Sequence, residues 1–320
     1  MQAIGLYEFG GPEVLQVVEV PEPDPGPGEL RIRVHAVGVN PTDLTFRAGG
    51  RAAQLTGQAG PYIPGVDAAG VVEKVGPECS GRLAVGDRVI AFVVPMGPHG
   101  GSYAQQIVVP EASAVAAPSH ATLPEAATLL LNASAARLSL DALALRPGQT
   151  VVVVGGAGAV GAYAIQLAKT DGLAVLTDAS PADKGLVESL GADTVIDRDG
   201  DVARRIRDQL AGGAPGLIDG AALDATILPA VADGGRLVTL KGWAGPAERD
   251  ITIYPISSFD SATDTALFDR LRGQADEGIL TLRVADVLPA ARASEAHRRL
   301  AAGGVRGRLV LDFSQSRIQP

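Results

Sequence analysis

The stretch Gly155-Gly156-Ala157-Gly158-Ala159-Val160-Gly161 carries the strongest chemical signal in this chain of 320 residues. From Gly156 it reads G-x-G-x-x-G. It lies between an apolar β-branched run, Val151–Val154, and a helical pattern, Ala159–Thr170. A strand before and a helix after separate a dinucleotide turn from a flexible Gly/Ala linker. Gly156 is expected to permit the tight turn, Gly158 to let the backbone approach a pyrophosphate, and Gly161 to let helix and strand pack closely. With Ala157, Ala159 and Val160 they form a turn whose helix start offers N–H groups and partial positive charge to phosphates. About twenty residues on, Asp178 stands where an acidic group takes the ribose hydroxyls of NAD. Ser180 and Lys184 follow and suit the 2′-phosphate of NADP instead. Both readings stay open at this point, as does a plain strand end or helix cap at Asp178. Lys241-Gly242 follows a further strand end, where ligands sit in open α/β sheets.

The elements that must position these residues fall into two regions. The first third is β-rich. Strands are expected at Val14–Val20, Leu30–Val37, Ala69–Val75, Asp87–Val93 and Gln105–Val109, most of them bounded by Gly or Pro. Short strands at that spacing predict a barrel-like fold. The middle region alternates. A helix is expected over Pro124–Leu145, a buried strand at Thr150–Val154, then helix Ala159–Thr170, strand Leu173–Asp178, helix Ala182–Leu190, strand Thr194–Ile196 and helix Val202–Leu210. Strands Leu217–Leu223, Arg236–Leu240 and Ile251–Ile256 complete it. Strand and helix in turn predict βαβ units and a doubly wound parallel sheet, an α/β fold. A helix over roughly Ser261–Glu277 and a return to β-type sequence follow. The chain closes on the strand Gly307–Phe313, expected to pack back on the first region.

Composition narrows the function classes. Hydrophobic residues make up 46% and charged residues 20%, so a large core is expected rather than disorder. Net charge is -9, which argues against a nucleic-acid footprint and a basic membrane surface. With one cysteine, Cys79, an intrachain disulfide and a cysteine zinc cluster are both ruled out. No apolar run of membrane-spanning length and no signal-like opening appear, so a cytoplasmic location without membrane association is expected.

Taken in order, further motifs resemble the medium-chain dehydrogenase/reductase superfamily, in its zinc-free quinone oxidoreductase (zeta-crystallin-like) branch. They are Phe9-Gly10-Gly11-Pro12-Glu13-Val14-Leu15, Pro25-Gly26-Pro27-Gly28-Glu29, Val39-Asn40-Pro41-Thr42-Asp43 and Ile63-Pro64-Gly65-Val66-Asp67-Ala68-Ala69-Gly70-Val71-Val72. Gly86-Asp87-Arg88-Val89, Gly100-Gly101-Ser102-Tyr103-Ala104, the nucleotide turn and Gly307-Arg308-Leu309-Val310-Leu311 complete the series. The resemblance covers nearly the whole chain and implies a Rossmann doubly wound sheet plus a GroES-like β-barrel catalytic domain, with a cleft between. The catalytic domain is expected at 1–123 and 259–320, and the dinucleotide domain at 124–258. The resemblance also implies an NADPH-preferring enzyme, with NADH as the alternative, that reduces a small quinone or an α,β-unsaturated carbonyl. A homodimer paired through Ile251–Ile256 is implied as well. Where zinc-dependent relatives carry metal ligands, this chain has Asn40 and Gly65-Val66-Asp67, so no metal site is expected. His35, His99, His120 and His297 are scattered, read as strand or loop histidines.

Without a metal, hydrogen-bond donors must stabilise charge growing on the substrate oxygen. Asn40 can supply an amide donor, or serve only as the turn residue before Pro41. Tyr62, in Gly60-Pro61-Tyr62-Ile63-Pro64, can donate a phenolic proton or simply pack. Tyr103 carries the same two readings. Asp43 and Asp67 are expected to set loop geometry, and Cys79 to be incidental. Asn132 and Ala136 match a family stretch that enters the cleft. Arg308 matches a family lysine near the closing strand, or is a solvated surface arginine. Two rivals stand beside the reductase: a nucleotide-binding sensor with little turnover, and a zinc alcohol dehydrogenase.

Overall fold

The structure, a computed structural model, describes residues 1–246 and 248–318. The chain forms two compact units. One comprises 1–131, 261–277 and 282–320, and the other 132–260 and 278–281.

In the second unit every strand pairing is parallel. The strand order is Thr194–Asp197, Ala174–Ala179, Thr150–Val154, Ala214–Asp219, Val231–Thr239, Thr252–Pro255. Right-handed crossovers that start at a central strand and run first to one edge, then to the other, give this order. Val151, Val152, Val153 and Val154 are at most 1% exposed, as expected of a strand covered on both faces. The order reverses between Thr150–Val154 and Ala214–Asp219, so a crevice opens at their carboxyl ends. Gly155 and Gly220 stand there.

In the first unit one long strand, Glu29–Gly38, organises the sheet. Along one edge it pairs with Asp67–Val75. Along the other it pairs first with Gln106–Pro110 and then with Arg308–Asp312. Register shifts at Arg31/Ile32 and Val34/Ala36 mark bulges, which bend a strand enough to serve two partners. The closing strand thus returns to the first region's sheet. The core beneath holds Phe46, Tyr103, Leu30, Ile32 and Leu309. A separate ring stack, Phe92 on Phe268, sits at 5.9 Å.

Several expected elements differ. The run Val14–Val20 begins as a 3-10 turn, Pro12–Val14, because Pro12 starts a helical turn readily; only Gln16–Glu19 is strand. The expected helix Pro124–Leu145 breaks into Leu123–Ala126 and Leu130–Leu143. At the break Thr128 turns its hydroxyl onto Glu125 O at 2.7 Å, and the Leu131 N–H is donated to Asp67 at 2.9 Å. The helix expected over Ser261–Glu277 starts later, at Thr265, where the Asp264 carboxylate accepts from Leu267 N–H at 3.0 Å. The strand expected to run to Leu223 stops at Asp219, because Ala222 adopts φ 55°, which ends any ladder. Helices Pro41–Arg47 and Ala293–Ala302 have no counterpart in the sequence reading.

Candidate functional site

Gly155, at φ 80°, makes the sharp turn out of the strand Thr150–Val154. The sequence reading gave that task to Gly156, but Gly156 is small for another reason. A Cβ there would stand 2.1 Å from Thr177 Oγ1, a hydroxyl anchored on Val153 O at 2.6 Å. Gly161 lies against the turn, where a Cβ would stand 2.3 Å from Gly155 O, a backbone atom that cannot move aside. Gly158 is the N-cap of helix Ala159–Thr170, and a Cβ there would meet only Gly155 O, at 3.1 Å. So two glycines hold turn, strand and helix together, and the third keeps the helix N-terminus free of a side chain that would press on Gly155 O. That is the cradle a pyrophosphate needs, and its first-turn N–H groups supply donors and partial positive charge.

Asp178 stands beside the turn. It is 6% exposed, and its carboxylate accepts from Gly155 N–H at 2.6 Å. Burial raises its pKa, while the Gly155 hydrogen bond and the Arg198 charge pull the other way. Ser180 Oγ donates to Asp183 Oδ2 at 2.6 Å, and Asp183 is itself buried. Lys184 lies along its own helix toward Glu188, at 3.8 Å. Asp178 also lines a pocket of about 470 Å³ inside this unit, with Arg198, Asp201 and Leu223. Ala221 and Leu223 line the same pocket from a loop in which Ala222 and Asp224 adopt positive φ; Asp219 holds that loop by accepting from Ala221 N–H at 3.2 Å and Asp224 N–H at 2.7 Å. Lys241 and Gly242 follow the strand Val231–Thr239, in a loop closed by Thr239 Oγ1 donating to Trp243 O at 2.6 Å. Asn132 and Ala136 are buried on helix Leu130–Leu143. The structure thus brings Gly155 through Gly161 and Asp178 to one place, and leaves Lys184 directed elsewhere. Asp183, Arg198 and Asp219 escaped the sequence reading, which included Gly155 in the turn without giving it a task. An acidic residue just before Gly220, at the end of a strand, was the available signal for Asp219.

The first unit gathers a different set. Asn40 donates through its amide to Gly38 O and to Asp67 Oδ2, each at 3.0 Å, and is 0% exposed. Its own N–H is donated to Asp43 Oδ2 at 2.8 Å, which caps helix Pro41–Arg47. Asp67 also faces Arg308 Nη2 at 4.0 Å, and Arg308 donates to Val39 O. Arg308 is therefore a buried member of this cluster and not a solvated surface arginine. Tyr103 is wholly buried, with its hydroxyl 3.0 Å from His297 Nε2 and 3.3 Å from Asp43 Oδ2. With the imidazole proton on Nε2, His297 donates to Tyr103 and Tyr103 donates to Asp43. That tautomer leaves a lone pair, not an N–H, at the unpartnered Nδ1. His297 was expected on a strand or loop; it sits buried in helix Ala293–Ala302. Burial pushes Asp43 up to about 7 and Tyr103 well above its usual range. Burial, then the Arg47 charge, pushes His297 down to about 3.

Tyr62 lies apart from that cluster. It is half-buried, stacks on Phe9 at 5.2 Å and donates to Gln58 O at 3.0 Å. Cys79 donates to Glu29 O at 3.4 Å, and burial raises its thiol pKa, so it is a poor nucleophile. Among the described residues no group of three or more His, Cys, Asp or Glu side chains is placed to hold a metal ion. Nor is any helix among them long and apolar enough to cross a membrane.

Two family models match the chain: an alcohol dehydrogenase GroES-like domain over residues 26–119, and a zinc-binding dehydrogenase over residues 190–311. The mouse quinone oxidoreductase is 30% identical over 337 residues, covering 97% of each chain. The tomato 2-methylene-furan-3-one reductase is 31% identical over 255 residues, covering 77% of this chain and 63% of that one. A mycobacterial protein solved in complex with NADPH superposes with a TM-score of 0.85 at 30% identity, covering 98% of this chain and 100% of that one. On this extent of similarity, the chain belongs to the medium-chain dehydrogenase/reductase superfamily, in its zinc-free quinone oxidoreductase branch.

Proposed function

We propose that this protein is a zinc-independent, NADPH-dependent reductase of quinones or of the alkene in α,β-unsaturated carbonyls. The observation that carries this reading is the glycine cradle at the carboxyl end of Thr150–Val154, where the parallel sheet reverses its order. The NADPH complex of the mycobacterial relative supports the nucleotide, and the mouse and tomato relatives support the two acceptor classes. A bound dihydronicotinamide supplies hydride; with one proton it converts a quinone to a hydroquinone, or saturates an enone, and the oxidised nucleotide departs.

The chain's own groups bind, orient and deliver the proton. Gly156 through Gly161 grip the pyrophosphate, with Asp178 at the adenosine ribose. Asn132, Ala136, Lys241 and Gly242 complete the nucleotide contacts. Tyr62, the one half-buried tyrosine of the three-residue catalytic set, is the group we assign to the substrate, as proton donor. Asn40, Tyr103 and Arg308 are buried and donate to buried partners, so they act as positioning residues, whereas Tyr62 donates to the exposed Gln58 O, a bond a substrate oxygen can replace. Zinc independence is supported by Asn40 and Asp67, whose atoms are held by each other, by Leu131 and by Gly38. We further propose residues 1–123 and 259–320 as catalytic domain and 124–258 as dinucleotide domain. A cytoplasmic location suits a single cysteine, and a homodimer would pair through Thr252–Pro255, the last strand of its sheet.

The test is NADPH oxidation with a panel of simple quinones and enones, before and after chelation. Steady turnover that survives chelation is expected. No consumption of NADPH, despite measurable binding, would leave a nucleotide-binding sensor instead.

A further inference from the structure

The first unit holds a cavity of about 270 Å³ beside Tyr62, and a second polar side chain, His99, lines it too. We infer that His99, held by Glu29, is a specificity residue of the acceptor site: it contacts the oxygen that Tyr62 does not, and so favours ring acceptors with two oxygens over those with one. This rests on the assignment of Tyr62 to the substrate made above.

Three observations carry it. First, the cavity has stiff walls of ring size. Pro21, Pro23, Pro61, Pro95 and Pro98 line it, each with its φ fixed by the pyrrolidine ring. Its volume falls just below the roughly 300–1,000 Å³ of sites for drug-sized ligands, so it suits a single or fused ring. Second, Tyr62 and His99 stand on two loops that are tied together. The Gln58 amide donates to Met96 O at 3.3 Å, which joins the segment before Tyr62 to the segment before His99. Phe9 stacks on the Tyr62 ring at 5.2 Å and 13°, and this fixes the plane of the phenol. Third, His99 is oriented. Its Nε2 faces Glu29 Oε1 at 3.5 Å, and the other Glu29 oxygen accepts from Gly26 N–H at 2.9 Å. The imidazole thus turns one nitrogen to the protein and keeps Nδ1 for a ligand.

The chemistry separates the acceptor classes. A quinone carries two ring oxygens, and both end as hydroxyls once one hydride and one proton have been added. An α,β-unsaturated carbonyl carries one, and it is a carbonyl before and after. In the quinone step the hydride comes from the dihydronicotinamide. Tyr62 gives the proton to one oxygen and regains it from water. At the other oxygen a partner must donate to a carbonyl before the step and accept from a hydroxyl after it. An imidazole nitrogen does either, according to where its protons sit, whereas an ionised carboxylate only accepts and an ammonium only donates.

The test uses six-membered ring compounds that differ in the second oxygen. One pair is para-benzoquinone against cyclohexenone, read as NADPH oxidation above the uncatalysed rate. The other is hydroquinone against phenol, read by calorimetric titration of the intact protein. The second pair draws no hydride, so it reads contact alone. His99→Leu should lower kcat/KM for benzoquinone about tenfold, the size of one lost hydrogen bond, and change that for cyclohexenone by less than about twofold. It should also erase most of the preference for hydroquinone over phenol. His99→Gln, whose amide both donates and accepts, should restore part of the benzoquinone rate. Equal losses for the two acceptors, or a hydroquinone preference unchanged in His99→Leu, would overturn the inference and leave the reductase reading standing. No NADPH oxidation with any acceptor would instead remove that reading, and the hydroquinone and phenol titrations would still decide whether His99 meets the second oxygen.

Discussion

The polar cluster of the first unit is buried and the glycine turn of the second only partly so, and the two use their packing in opposite ways. Around Asn40, Asp43, Asp67, Tyr103, His297 and Arg308, polar side chains bond to one another, with Asp43 Oδ1 and His297 Nδ1 left over. Between Gly155 and Gly161 four of the seven residues are glycine, and backbone atoms line much of the turn. A polar cluster bonded within itself specifies shape, and a backbone-lined helix start specifies a ligand. Substitutions in the first should therefore cost stability before activity, and substitutions in the second should cost binding before stability.

The largest effect is expected at Asp67. Asp67→Ala strands the Leu131 N–H, the Asn40 amide and Arg308 together, and breaking a buried charge pair this way costs about 3–5 kcal/mol. Denaturant unfolding measures it. A loss below about 1 kcal/mol, the level of an exposed pair, would show that the cluster is not a stabilising unit.

Next is a pH effect of a few kcal/mol, at roughly 1.4 kcal/mol per displaced pKa unit. Asp43, at about 7 against an ordinary 3.8, binds its proton in the folded state where the unfolded chain has released it. Its contribution is therefore present below about 4 and lost as pH climbs through 7. His297, at about 3 against an ordinary 6.5, stays neutral when folded while the unfolded chain is protonated. Its contribution is present above 6.5 and lost as pH falls toward 3. The two slopes oppose each other over the shared window and offset. Asp43→Asn removes one slope, so the variant's denaturation midpoint should climb with pH from about 4 to 6.5 more steeply than the natural protein's. Parallel midpoint curves for the two proteins would contradict the placement of Asp43.

On the other side of the comparison, Gly161→Ala forces a Cβ against Gly155 O and should weaken nucleotide binding on the order of a hundredfold, about 2.7 kcal/mol. Gly158→Ala, which meets only that oxygen at 3.1 Å, should fold normally and lose less. Titration of both variants checks the order; equal losses would mean that the turn is not what binds.

The smallest effects come from the tyrosines. Tyr103→Phe leaves His297 and Asp43 without their link and should lose about 1–3 kcal/mol of stability. Tyr62→Phe should cost under about 1 kcal/mol of stability while lowering kcat, since its hydroxyl bond to Gln58 O is exposed and the hydroxyl is assigned to the substrate. The reverse pattern, Tyr62 stabilising and Tyr103 catalytic, would exchange the two roles.

What the sequence made legible follows from how local each signal is. The nucleotide turn and the parallel strands rest on adjacent residues: a β-branched run, three spaced glycines, a helix start. Gly155 and Gly156 exchanged tasks because only the approach of Thr177 reveals which one needs to be small. The cluster was mostly hidden. It joins Tyr103 to Asp43 across 60 residues and to His297 across 194, and no periodicity reports such a pairing. Helix Ala293–Ala302 escaped for a related reason. Its N-cap, Arg292, makes no capping bond, and it is held by buried Ala293, Ala296 and His297 rather than by any local start signal.

The most direct test of the account is stoichiometry in metal-stripped protein: NADPH consumed against quinone or enone reduced, with Gly161→Ala run beside the natural protein. The account predicts one nucleotide oxidised per acceptor reduced, no gain on adding zinc, and turnover at subsaturating nucleotide that falls with binding in the variant. Turnover that appears only when zinc is restored, or that is indifferent to Gly161→Ala, would contradict it.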